Sequence, residues 1–163
     1  MRPYFSFLAL IAAVILFATG CKKEKNTSYT ITSGDYLLAG HTGGFVVAGS
    51  KATFYVLNNG EMRKDTNQLE GTIPSSVSGF NFNTLLPAAS YSCAAYLQTA
   101  IPAELLLRNG EHIGAYFPDA GYLLVMTKKD GVEYKWYFEG DQNSSSADIQ
   151  TFLQGMNTHM LNQ

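Results

Sequence analysis

The carboxy-terminal third constrains the fold most. Tyr122-Leu123-Leu124-Val125-Met126-Thr127 is an apolar run, Lys129-Asp130-Gly131 carries turn chemistry, and residues 132–138 return. In the returning segment Val132, Tyr134, Trp136 and Phe138 alternate with Glu133, Lys135 and Tyr137. A period of two places the first set against a core and the second towards water, so this is a hairpin with Trp136 buried. Ser146 then offers an N-cap, and Asp148 suits the positive end of a helix dipole. Ile149, Phe152, Leu153, Met156 and Met160 follow at i, i+3, i+4, i+7 and i+11, which is one apolar stripe of a helix. Such a stripe needs a sheet to cover, and the hairpin before it is the natural partner. The expectation is an α+β domain: a largely antiparallel sheet, a carboxy-terminal amphipathic helix, and one or two middle helices packed on it.

Upstream, residues 29–32 and 36–40 read as extended pieces around Ser33-Gly34-Asp35. Gly40-His41-Thr42-Gly43-Gly44-Phe45 reads as a tight hairpin turn, because adjacent glycines reach positive φ at little cost, with residues 45–48 resuming the extended chain. Residues 53–57 form the clearest early strand, and Asn58-Asn59-Gly60 before Glu61-Met62-Arg63-Lys64 is a hairpin signal. Residues 66–83 are polar and broken by Gly71, Pro74 and Gly79, so a loop with at most one short strand is expected. After Pro87, residues 88–100 predict a helix with Ala89, Cys93, Tyr96, Leu97 and Ala100 on its buried face. Residues 102–108 predict a second short helix, ended by Asn109-Gly110.

The amino terminus is of another kind. Met1-Arg2 is a short positive end, and residues 4–17 are apolar apart from Ser6. About fourteen such residues fall short of the roughly twenty that span a bilayer as a helix, and match the apolar region of an export signal. Phe17-Ala18-Thr19-Gly20-Cys21 resembles the lipobox of bacterial lipoproteins. The resemblance implies a diacylglyceryl group on the Cys21 thiol and cleavage before it. The chain then divides into a signal peptide (residues 1–20), a lipidated cysteine with a polar tether (21–28) and one α+β domain (29–163). The membrane is contacted through lipid on Cys21, and burying acyl chains contributes roughly 0.8 kcal/mol per CH₂. Lys22 stands where an Asp would resemble an inner-membrane retention signal, which leans towards the outer membrane of a Gram-negative envelope.

Composition and motif content narrow the functional classes. Without residues 1–20, ten basic residues (11 less Arg2) face thirteen acidic ones, and no basic stripe stands out. Nucleic-acid binding therefore has no electrostatic footprint. Cys21 is committed to lipid, so Cys93 has no disulfide partner within the chain, and its small-residue surroundings read as those of a buried inert thiol. His41, His112 and His159 are isolated in sequence and lack metal-ligand spacing. Glu139 and Asp141, around Gly140, read as a solvated loop. No GxSxG, P-loop, HExxH, CxxC or EF-hand pattern is present. The reading is therefore non-enzymatic, with no catalytic residues, no metal and no cofactor assigned.

Gly43-Gly44-Phe45, Pro118-Asp119, the hairpin around Asp130-Gly131 and the helix from Ser146 come in an order that resembles emfourin-type domains, which include inhibitors of thermolysin-like metalloproteases. They are also similar to lipoproteins of Gram-negative bacteria with a comparable Gly-Gly-Phe segment. Val46-Val47 departs from the Ala-Gly that usually follows the Phe in emfourins, and residues 66–116 have no counterpart. The resemblance implies a protein-interaction domain acting on an envelope or extracellular protein, with Gly43, Gly44 and Phe45 at the contact. Two alternatives stand beside it: an envelope hydrolase with a site assembled from scattered residues, and a glycan or small-ligand binder using tyrosines and Trp136.

Overall fold

The computed structural model describes residues 29–31, 33–44, 49–69, 72–115, 121–140 and 145–163. Seven strands form one sheet: β1 (Tyr36–Thr42), β2 (Lys51–Asn58), β3 (Glu61–Leu69), β4 (Thr84–Leu85), β5 (His112–Gly114), β6 (Tyr122–Lys129) and β7 (Val132–Glu139). Their order is β4-β3-β2-β1-β6-β7-β5, and every pairing is antiparallel except that of β5 with β7. Three helices accompany them: α1 (Ala88–Ala94), which continues as a 3₁₀ turn (Ala95–Gln98), α2 (Ala103–Leu106), and α3 (Ala147–Met156), which widens into a π turn (Asn157–Leu161). The α+β expectation holds.

Two reversals follow local chemistry. Asn59 and Gly60 have φ of 49° and 79°, and Asp130 and Gly131 have 52° and 82°. Positive φ at both central residues matches the right-handed twist of the flanking strands, which is why Asn-Gly and Asp-Gly occur there.

Both sheet faces are covered. On the first, Leu37, Leu57, Val125, Trp136 and Phe138 meet Ile149, Phe152, Leu153 and Met156 of α3, with Met160, Ala94, Leu97 and Leu105. Each such side chain contributes roughly 1.5–3 kcal/mol when withdrawn from water. Trp136 is fully buried, as its alternation implied, and donates its indole N–H to the Leu105 carbonyl at 2.8 Å. The Ser146 hydroxyl caps α3 by accepting from the Ile149 N–H at 3.3 Å. On the second face Leu38, Phe54, Val56, Leu124 and Met126 lie under Val77, Phe80, Phe82 and Ile31. Two-sided burial explains the unbroken apolar runs in β1 and β6.

Three expectations need correction. Residues 66–69 continue β3, and part of the supposed loop is the lid of the second face. Its polar sequence conceals this because Asp65, itself buried, holds the segment: it accepts from the Asn67 N–H, the Gln68 amide and the Asn81 N–H at 2.9, 2.6 and 2.7 Å. In the middle helix, Ala94 and Leu97 are buried, whereas Cys93, Ala89, Tyr96 and Ala100 are exposed. The α-to-3₁₀ change at Ala95 rotates the inward face, so a 3.6-residue stripe drawn across it points the wrong way. Glu139 is no solvated loop residue but the buried last position of β7.

Candidate functional site

One end of the sheet is built of glycine. Gly43 and Gly44 follow β1 with φ of 79° and 88°, Gly121 precedes β6 with 69°, and Gly140 ends β7 with 50°. A Cβ on Gly121 would sit 2.8 Å from the carbonyl carbon and oxygen of Gly43 and 2.9 Å from the Thr42 oxygen. Backbone meets backbone there, and only glycine permits it. Gly43 and Gly44 thus occupy a turn, as read, at the corner where β1 meets β6. Phe45 lies outside the described residues, as do Cys21, Pro118-Asp119 and Asp141.

Beside this corner, between α3 and the sheet end, opens a cleft of about 490 Å³. His41 of β1 enters from one side, with Gly121, Tyr122 and Leu123 of the β6 end and Phe138 and Gly140 of the β7 end. Gln150, Leu153 and Gln154 of α3 face them, and Asn157 and Thr158 follow from the π turn. The apolar contribution is Leu123, Phe138 and Leu153, which also belong to the core. The polar contribution is three carboxamides, a hydroxyl and an imidazole. No Asp, Glu, Lys or Arg lines it. Desolvation lowers the His41 imidazole below its ordinary value, opposed by a hydrogen bond with the Asn157 side chain. The Tyr122 phenol is pushed up, first by burial and then by Tyr137 and Glu139. At neutral pH the cleft wall is uncharged. Such π turns occur often at functional sites, and here one delivers Asn157 and Thr158 to the wall.

A second cluster lies on the other face. The parallel register of β5 on β7 sets His112 beside Tyr137. The rings stack with centroids 4.5 Å apart and 11° between planes, and His112 Nδ1 pairs with the Glu139 carboxylate. Tyr122 meets Tyr137 edge-on at 5.4 Å, and the Lys135 ammonium lies 5.1 Å from the Tyr137 centroid. The pair ties a three-residue strand to its neighbour. A buried carboxylate orienting a half-exposed imidazole is also what general-base chemistry needs. Sequence reading missed this association, since residues 27 apart meet only through a strand crossover.

His41 and His112 therefore sit on opposite faces, and His159 meets the Tyr96 ring edge-on at 5.8 Å. Among the described residues no three of His, Cys, Asp and Glu gather as metal ligands, and no helix is long and apolar enough to cross a membrane. No family model, curated protein or solved structure matches this chain. Cys93 lies on exposed α1, away from the cleft lining.

Proposed function

We propose that this chain is a lipid-anchored envelope lipoprotein whose domain works by binding a protein partner, not by catalysis. The observation that carries the binding half is the wall chemistry of the His41 cleft. An apolar floor with a few convergent polar groups is the usual make-up of a recognition pocket, and about 490 Å³ falls in the common range of roughly 300–1,000 Å³. His41 has an amide for its partner and no carboxylate lines the cleft, so the orienting acid of a hydrolytic triad is missing from this wall. The Gly43-Gly44 turn adjoins the same corner and adds a backbone surface free of side chains.

The anchoring half rests on the segment ending at Cys21. Metabolic labelling with palmitate tests it: label on the parent chain and none on Cys21→Ser is expected, and label on the variant removes the anchor. The narrower version, inhibition of a thermolysin-like protease through Gly43, Gly44 and Phe45, is tested by titrating the protein into such an assay. An unchanged rate at micromolar protein ends that version and leaves other partners open.

A second reading, an envelope hydrolase, draws on the His112–Glu139 pair. It requires His112→Gln to abolish turnover of a screened ester or amide substrate. Turnover equal in parent and variant dismisses the pair as a catalytic one.

A further inference from the structure

The chemistry of the cleft wall narrows what can enter. A charged ligand would surrender its hydration against a wall that offers no opposite charge, which is costly unless ions pair. The ligand part that enters is therefore neutral. A sugar carries hydroxyls around its ring, and those turned towards Leu123, Phe138 and Leu153 would be left unpaired. Phe138 is only 4% exposed, so it presents no open ring face for a sugar to stack on. An apolar side chain fits that floor instead. Around it, Gln154 and Asn157 each present both a donor and an acceptor, the combination that peptide N–H and C=O groups require. The remaining wall at Gly121 and Gly140 is bare backbone, which lets an extended main chain approach closely.

We infer that the cleft takes one uncharged apolar side chain, aromatic or branched, carried on an extended peptide segment whose flanking amide groups bond to Gln154 and Asn157. The inference rests on the reading of this cleft as the recognition site. It also gives the π turn a purpose: the widened backbone sets Asn157 against His41, so one carboxamide serves both the imidazole and the incoming chain.

The test uses ¹⁵N-labelled full chain in detergent micelles and three probes: N-acetylphenylalaninamide, its free carboxylate N-acetylphenylalanine, and N-acetylglucosamine. The amide should shift the resonances of Leu123, Phe138, Gln154 and Asn157 saturably. The carboxylate should bind about tenfold more weakly, and Asn157→Ala should lose about fivefold for the amide while its spectrum elsewhere stays unchanged. Equal binding of amide and carboxylate overturns the ligand class. So does a response of these residues to N-acetylglucosamine alone, which would keep the cleft as a site. If no probe moves any cleft residue, the recognition reading itself falls.

Discussion

At one end of the sheet the chain reverses through Asn59-Gly60 and Asp130-Gly131; at the other it passes Gly43-Gly44, Gly121 and Gly140. The first end is closed by short-range rules. Its turn glycines face open space, with nothing within 4 Å of a Cβ on Gly60 or Gly131. It is also where residues 29–35 are fastened: the Tyr29 hydroxyl donates to Asn58 at 2.8 Å, Arg63 lies 4.2 Å over the Tyr29 ring, and the Asn58 amide donates to the Ser33 and Asp35 carbonyls at 3.2 and 2.9 Å. The second end is closed by contact between distant backbones and carries the cleft. Glycine does different work at the two ends: conformational freedom at one, the absence of a side chain at the other. The anchor segment and the recognition cleft consequently lie at opposite ends of the strands, which leaves the cleft clear of the tether.

That contrast can be broken by substitution. Gly121→Ala should cost the most, about 3 kcal/mol, since positive φ and a clash with rigid backbone add together; urea denaturation reads the loss, and a cost no larger than that of a turn glycine would erase the distinction. Asn58→Ala should come next, at about 2 kcal/mol, because it strands two carbonyls and the Tyr29 hydroxyl. Faster proteolysis within residues 29–35 should accompany it. Gly60→Ala and Gly131→Ala should cost only about 1 kcal/mol each, from backbone strain without a clash.

The smallest effect is a pH dependence at the cleft. Desolvation holds the folded-state His41 below its unfolded value, so between the two values the unfolded chain binds more protons. Stability therefore falls as pH drops below about 6.5 and levels off beneath the folded value. His41→Gln should flatten that part of a plot of urea midpoint against pH. An unaltered slope would show that His41 is not desolvated there.

How much was legible follows the same division. The Asn-Gly and Asp-Gly turns, the alternation ending at Trp136 and Phe138, and the stripe from Ile149 to Met160 were readable because each depends on neighbours in sequence. The cleft was not. Gln150, Gln154 and Asn157 look like the wetted side of an amphipathic helix, and nothing local says that His41, more than a hundred residues earlier, will stand opposite. The lid over the second face was hidden too, since a single buried carboxylate, Asp65, organises a segment that by composition is a loop. Cys93 was misjudged for a geometric reason: one 3₁₀ turn moves the buried face by a residue, to Ala94.

The central claim is that the glycine end is the working end. Site-specific photo-crosslinking in intact cells tests it most directly, with the photoreactive residue placed at Gln154 beside the cleft or at Asn59 in the opposite turn. A discrete protein adduct from position 154 and none from position 59 is the predicted result. An adduct from position 59 with none from position 154 would contradict it.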